Sequence, residues 1–350
     1  MVASATQFAM KPRRRRWLLL LGSTLVALLV CEVAARLAIR HWNEAGPQRP
    51  TAGGDVMLVE MLQPSPHRSI VYALQPGLDV RFQGVAVTTN AAGFRGPELP
   101  ASKPAGGFRV VALGDSVLFG WGVGWDDTGI ARLPALLSAL RPGRHVDAIG
   151  TGVPGYNTAI EAEVLAHHGL AWQPDVVVVD FVGNDLDLPN FLLAPQDWWR
   201  LDHCFLVDLG RRVWRSSWLD PRTPFVWAPG DGQGHFESDP ERVPAEYRAM
   251  VGIDGYRRAM TAIAAMGRQH GFRVLVTTQY GLPSEVAAVC TELALPTVSI
   301  RPRIDAFLQG GGSAAALQIA PDDPHPTAMV HGFWAEAVAA KLAELGWLPP

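Results

Sequence analysis

The sequence predicts an α/β protein, a three-layer α/β/α sandwich around a parallel sheet of about five strands. Three observations carry that prediction. Short β-branched runs recur, among them FRVVAL at Phe108–Leu113 and DVVVVDF at 175–181, and they are apolar on both faces, as strands of a covered parallel sheet are. Stretches with helical periodicity alternate with them. Gly-rich turns bearing polar side chains follow directly on three of the runs, at the strand ends where open α/β sheets keep their reactive groups.

The chain starts with a basic cluster, Lys11 and Arg13 to Arg16, and runs into WLLLLGSTLVALLVCEVAARLAI at 17–39. Residues 1–16 are expected on the cytoplasmic side and 17–39 to form a transmembrane signal-anchor. The uninterrupted apolar part ends at Cys31, after about 15 residues. Continuing through Glu32 and Arg36 gives about 23, enough to cross a bilayer with snorkelling ends. Basic residues ahead of the span hold the N-terminus inside and deliver the body outside. A cleaved signal peptide, with Val33 and Ala35 as its small-residue site, is the alternative. A lipoprotein is excluded, because Val30 precedes Cys31 where a small residue is required.

Residues 40–107 are expected to be a stalk followed by a small β-containing lead-in. The stretch 41–66 is rich in Pro, Gly and polar residues, and 70–89 alternates weakly, as a hairpin does. NAAGFRGP at 90–97 makes a turn, and 100–107 links it to the first buried strand. From there the domain at 108–350 unfolds as strand and helix in turn. A helix is expected at 130–140 after an Asp126-Asp127-Thr128 cap, a strand at 145–149, and a helix at 159–168 capped by Asn157 or Thr158. The strand 175–181 follows, then helical periodicity over 247–270, a strand at 272–278 and a helix at 284–293. A strand at 295–300 and a closing helix at 328–345 complete the pattern. The alternation breaks at 186–242, where Trp198, Trp199, Trp214, Trp218 and Trp227 lie among many prolines. So aromatic a stretch is not disordered, and it reads as an insertion over the carboxyl edge of the sheet. It is either a lid or platform for a sugar or acyl chain, or a small core of its own.

Composition narrows the function. A chain of 350 residues, 48% hydrophobic and 18% charged, can bury one large core, and its formal charge of -3 offers nucleic acid nothing to bind. The cysteines are Cys31, Cys204 and Cys290, with no C-x-x-C pair for zinc. Cys204 and Cys290 are either a disulfide or two free thiols. Asp180, Asp185, Asp187, Asp322, Asp323, His325 and His331 supply oxygen and nitrogen ligands, but no spacing organises them into a metal site. Gly120-Trp-Gly122-Val-Gly124 lacks the spacing of a dinucleotide loop. No cofactor is expected. His331, on the closing helix, is expected to pack or cap, and His167 and His168 to suit the end of their helix.

Four blocks carry the chemistry: Gly114-Asp115-Ser116, Gly152-Val-Pro-Gly155-Tyr-Asn157-Thr158, Gly183-Asn184-Asp185 and Asp322-Asp-Pro-His325. The first three follow strands, so a parallel sheet brings them to one edge, and the fourth reaches that edge from the loop after the last strand. Acyl transfer needs these residue types. A serine hydroxyl attacks only when a base takes its proton, histidine suits that task near neutral pH, and a carboxylate on its other nitrogen fixes the tautomer. Asp322 and His325, three apart in a turn, are the local acid and base. The Ser116 and Gly152 backbone N–H groups and the Asn184 amide are candidate oxyanion donors, Gly152 because it has no Cβ in the way. Each block alone is ordinary turn or cap chemistry; their joint, ordered occurrence points to function.

Together the blocks resemble the SGNH (GDSL-like) hydrolase family over roughly 109–345. The resemblance implies Ser116 as nucleophile, His325 as base, Asp322 as its partner, and Gly152 and Asn184 with Ser116 in the oxyanion hole. NAAGFRGPE and GDSVLFGWGVG look like its bacterial, membrane-anchored branch, which implies an inner-membrane protein with a periplasmic catalytic domain. Leu118, where that branch more often has Thr, and the Trp-rich insertion are departures. The implied function is an exported, membrane-tethered serine esterase cleaving O-acyl, chiefly O-acetyl, esters of cell-surface carbohydrate. An O-acetyltransferase on exported polysaccharide and a lipase or thioesterase are the neighbouring readings. A non-catalytic carbohydrate-binding module would have no need of Ser116, Asp322 and His325 together.

Overall fold

Five parallel strands, β1 (Phe108–Leu113), β2 (Val146–Gly150), β3 (Val176–Phe181), β4 (Arg273–Thr278) and β5 (Thr297–Ser299), form one sheet in the order β5-β4-β3-β1-β2. In this computed structural model residues 12–45, 48–98, 100, 102–194, 197–214, 223–231 and 235–348 are described. The chain divides into two compact units, Gln48–Leu193 with Phe225–Pro350, which holds the sheet, and Met1–Pro47 with Ala194–Pro224.

The pleat sorts the strands' side chains between two layers. Val110 and Ala112 of β1 and Val176 and Val178 of β3 pack with Leu133, Ile304 and Trp334. These come from helices α3 (Gly129–Leu140), α8 (Arg301–Gln309) and α9 (Ala328–Glu344). Val111, Leu113, Val177 and Val179 face the other way, onto Leu165, Met260 and Val289 of α4 (Thr158–His167), α6 (Gly252–His270) and α7 (Ser284–Glu292). Strands buried on both faces read as continuous apolar runs for this reason. Thr128 caps α3, its Oγ1 accepting from the Ala131 N–H, and Asn157 caps α4 by accepting from the Ile160 N–H at 3.0 Å.

The lead-in contains the β element expected within 70–89, and strand structure also occurs at Leu62–Pro64, inside the stretch read as a stalk. Leu62–Pro64 pairs with Tyr72–Leu74, and Asp79–Phe82 with Val85–Thr88, both antiparallel. Ile70, Val71, Tyr72, Val80 and Phe82 are buried, so this segment packs as part of the sheet-bearing unit from Gln48 onward. The helical periodicity over 247–270 divides into a 3-10 turn, Ala245–Met250, and α6, because Gly252 sits at φ +67 and interrupts the ladder. Helix α8 was not anticipated: its RPRIDAFLQ sequence buries little beyond Ile304 and carries a weak apolar stripe.

In the smaller unit, α1 (Pro12–Ala45) is one continuous helix, so residues 41–45 are helical where a stalk was expected. Its 14–44 portion is long and apolar enough to cross a membrane. Lys11 lies outside the described residues. The insertion therefore splits. Phe191–Leu193 and Phe225–Trp227 form a hairpin in the larger unit. Residues 194–224, with helix α5 (Phe205–Trp214), belong to the unit of α1. There Trp198 packs with Ala35, Ile39 and Phe205 in a small core. Trp218 falls outside the described residues. Cys31, Cys204 and Cys290 are all free thiols.

Candidate active site

The first strand ends at Leu113, and Asp115 caps the short helix α2 (Ser116–Phe119) that follows it, its Oδ1 accepting from the Val117 N–H at 2.8 Å. Asp115 thus takes the capping role in place of Ser116, and its Oδ2 accepts from the Ser116 hydroxyl at 3.3 Å. Ser116 Oγ lies 2.9 Å from His325 Nε2. His325 Nδ1 lies 2.6 Å from Asp323 Oδ1, which also accepts from the His325 backbone N–H at 3.1 Å. The remaining Asp323 oxygen accepts from Trp121 Nε1 at 3.0 Å, and the Trp121 ring stacks on the imidazole, 4.6 Å between centroids and 10° between planes. Serine, histidine and carboxylate form a linear array from hydroxyl to acid.

The acid in this array is Asp323, not the expected Asp322. Gln318–Ala320 and Asp323–Pro326 form an antiparallel hairpin, and Asp322 sits exposed in its turn. Side chains two apart on a strand share a face, so Asp323 and His325 look the same way and meet, whereas a residue three away from His325 cannot do so along an extended backbone. The expectation of Asp322 assumed a compact turn up to the histidine.

Gly152 also has a different task from the one expected. It is buried against α2, where an added Cβ would lie 2.5 Å from the Phe119 N and 2.8 Å from the Asp115 O. Its lack of a side chain lets the loop after β2 seat directly against the turn that presents Ser116. The second glycine of the block, Gly155 at φ +82, borders the cavity beside Ser116 together with Asn184 and Asn190. Asn184 lies at the cavity as expected, and its Nδ2 donates to Asp115 Oδ2 at 2.9 Å. One amide N–H is thereby anchored and the other remains available.

The cavity has a volume of about 400 Å³, and its aromatic lining is Trp121, Trp227 and Phe236. Trp227 and Phe236 come from the insertion and stack nearly parallel, 7° apart in plane. The signals for Asp323 and Gly155 were in the quoted blocks, each one position from or within the motif chosen. Trp227 belongs to the Trp-rich insertion read as a possible platform, whereas nothing local singled out Trp121, Asn190 or Phe236.

Burial shapes the electrostatics. Desolvation pushes Asp115 above the usual carboxylate range, opposed by its bonds from Val117 and Asn184 and by the His325 charge. At Asp323 desolvation also pushes upward, but the bonds from the His325 side chain and backbone and from Trp121 outweigh it, so the carboxyl stays below its ordinary value. Behind the site Asp180 is pushed up to about 6 by burial, against donation from Thr277 and Trp334. Glu161 and Asp185, both buried, are raised well above the ordinary range by desolvation, Glu161 also by the charges of Asp185, Asp115 and Asp180, and Asp185 also by those of Asp115 and Asp180. His331 accepts from the Gly129 N–H at 3.2 Å and is held down to about 4 by burial and by Arg95 and Arg132, in keeping with its expected capping role. Among the described residues no group of three or more His, Cys, Asp or Glu side chains is arranged to hold a metal ion.

A model of the GDSL-like lipase/acylhydrolase family matches residues 112–332, more than half of the chain. No curated protein matches the sequence. Solved structures similar to the chain include the acetylxylan esterase Axe2 from Geobacillus stearothermophilus, at 16% identity over 72% of this chain and 99% of that one, with a TM-score of 0.41. A lipase/acylhydrolase from Enterococcus faecalis is 15% identical over 69% of this chain and 98% of its own, TM-score 0.39. The α/β hydrolase LAE5 from the metagenome of Lake Arreo is 18% identical over 70% and 97%, TM-score 0.42.

Proposed function

The chain belongs to the GDSL-like lipase/acylhydrolase family and is a serine ester hydrolase; on that premise we propose that it is an exported, membrane-tethered esterase that removes O-acetyl groups from cell-surface carbohydrate. The observation that carries the reading is the array Ser116–His325–Asp323 opening onto a cavity walled by aromatic rings and amides. Ser116 Oγ attacks the acetyl carbonyl while His325 Nε2 takes its proton. Asp323 keeps the other imidazole proton on Nδ1 and stabilises the imidazolium. The oxyanion is received by the Ser116 and Gly155 backbone N–H groups and the free Asn184 amide hydrogen. Collapse of the tetrahedral intermediate expels the sugar oxygen, which recovers the proton from His325, and leaves an acetyl-Ser116 ester. Water, deprotonated by the same histidine, then releases acetate.

Carbohydrate is favoured by the character of the cavity. Ligand sites of roughly 300–1,000 Å³ combine apolar walls with a few placed polar groups. Here flat Trp and Phe faces are set beside Asn184 and Asn190, which suits a ring with apolar faces and a hydroxyl rim. Export is supported by α1, with its basic residues ahead of an apolar span, which favours an N-terminus inside the cell and a catalytic unit in the periplasm. Ser116→Ala is expected to reduce release of acetate from an acetylated xylo-oligosaccharide, and from a nitrophenyl acetate, to background while the circular dichroism spectrum is unchanged. Full turnover in the purified variant refutes the mechanism. Turnover of the nitrophenyl ester by a wild type that releases no acetate from the sugar refutes the substrate alone.

A further inference from the structure

The apolar stretch of α1 is interrupted by Glu32 and Arg36, and the way these two are satisfied identifies a second membrane-contacting element. Residues 14–31 of α1 are bare, whereas from Glu32 onward the segment 198–214 covers one side of the helix. Glu32 accepts from the backbone N–H groups of Phe205 at 3.0 Å and Leu206 at 2.8 Å, and pairs with Arg36 Nε at 2.8 Å. Arg36 in turn donates to the carbonyl oxygens of Trp198, Arg200 (3.1 Å) and His203 (3.2 Å), with its guanidinium over the Phe205 ring. Both charges are thus met by backbone groups of the insertion.

Helix α5 packs Phe205, Leu206 and Leu209 into the small core with α1, yet leaves a second set of apolar side chains open to the outside. Its ion pair, Asp208 with Arg212, faces inward, and Arg212 also donates to the Thr223 carbonyl oxygen at 2.7 Å. Val207, Gly210, Arg211, Val213 and Trp214 face outward, Trp214 at 88% exposure, and just ahead of the helix Trp199 and Leu201 are exposed at 83% and 96% beside the exposed Arg200–Asp202 pair. A surface helix ordinarily buries its apolar stripe and exposes its charges.

Helix arithmetic says what covers this surface. Trp17 to Cys31 is about 15 residues, or about 22 Å at 1.5 Å per residue, against a hydrocarbon core of about 30 Å. The missing ~8 Å is about five more residues, which ends the core near Arg36, the level at which 198–206 meets α1. We propose that residues 198–214 form a collar seated in the outer interface of the bilayer, with Trp199, Leu201, Val207, Val213 and Trp214 against lipid. The occupant is phospholipid: the surface continues that of α1, Glu32 and Arg36 are met by backbone groups as charges within a membrane must be, the exposed Arg200, Asp202 and Arg211 suit the headgroup layer, and tryptophans gather where aromatic belts form. The inference rests on reading α1 as a membrane span.

The test uses the full chain in phosphatidylcholine vesicles. Tryptophan emission of the wild type is compared with that of a Trp199→Ser, Trp214→Ser double variant and of Trp17→Ser, the differences isolating each contribution. Lipids brominated near the headgroup end of the acyl chain are expected to remove most of the emission due to Trp199 and Trp214, and aqueous acrylamide little of it. Acrylamide quenching of these two residues without lipid quenching, while Trp17 is quenched by lipid, overturns the collar and leaves the span standing. Absence of lipid quenching at Trp17 as well overturns both. Turnover of a soluble ester, unchanged in the variants, verifies folding throughout.

Discussion

Replacing the acid of the array separates the two candidate carboxylates. In Asp323→Asn the amide fits the space of the carboxylate but presents an N–H to His325 Nδ1, 2.6 Å away in the native site. The neutral imidazole then keeps its proton on Nε2, the atom that must take the Ser116 proton across 2.9 Å. The same tautomer error lowers kcat about 10⁴-fold in serine proteases, about 5.4 kcal/mol of transition-state stabilisation. Here the acid side chain is 24% exposed. Water can therefore compete for Nδ1, which moderates the expected loss to about 10³–10⁴ in kcat. Asp322→Asn changes an exposed turn residue and should leave kcat within about twofold, as surface substitutions do. The assay is kcat at saturating nitrophenyl acetate for both variants. Because the Asp323 carboxyl is held below its ordinary value, its support of His325 is present at neutral pH and is lost only as pH falls through that lowered value, so the contrast is measured near pH 7. A loss in Asp322→Asn equal to that in Asp323→Asn refutes the hairpin argument.

Asn184→Ala removes an oxyanion donor and should lower kcat about 10²–10³-fold with a small change in KM, read from steady-state kinetics; an equal rise in KM at constant kcat contradicts the role. Asp180→Asn addresses the carboxyl held up at about 6 against an ordinary 3.8. The native state binds this proton more tightly than the unfolded chain, so the wild type loses stability as pH rises through that window, by up to about 3 kcal/mol. Asparagine has no proton to lose and can still accept from Thr277 and Trp334 through its Oδ1. Its urea-unfolding free energy relative to wild type should therefore climb between about pH 4 and pH 7 and then level off. A pH-independent difference shows that Asp180 does not titrate there.

The parts of the fold legible in the sequence are those where one local pattern decides. The strand at Val176–Phe181 is buried on both faces, and Thr128 and Asn157 are capping residues before apolar helical stretches. Ser116, Asn184 and His325 were legible because each occupies a strand end or hairpin that the topology must bring to one edge. What escaped depended on backbone direction or on distant packing. Asp322 and Asp323 are chemically identical, and only the extended backbone of 323–326 decides which one faces His325. Gly152 and Gly155 are both suited to close approach. Which of them meets substrate and which meets α2 depends on how the loop lies against Phe119. The 194–224 half of the insertion could not be assigned because its partner, α1, lies more than a hundred residues away.

The same dependence gives the lead-in a place in catalysis. NAAGFRGP reads as a turn, and nothing in it singles out Arg95. Arg95 is 4% exposed, and its guanidinium donates to the carbonyl oxygens of Phe119 (2.8 Å), Gly120 (2.7 Å), Val123 (2.7 Å) and Ala86 (3.2 Å). Three of those carbonyls flank Trp121, the residue that stacks on His325 and donates to Asp323. Buried carbonyls without donors cost about 1–3 kcal/mol each, so the loop has strong reason to keep the one shape that satisfies them all. That shape sets the indole over the imidazole and aims its N–H at the acid. Ser116 and His325 come from the sheet edge and the last hairpin, but the orientation of the base is held from Arg95 through Trp121. Arg95 is accordingly a positioning residue for the array, acting through Trp121 from a segment that packs in the sheet-bearing unit.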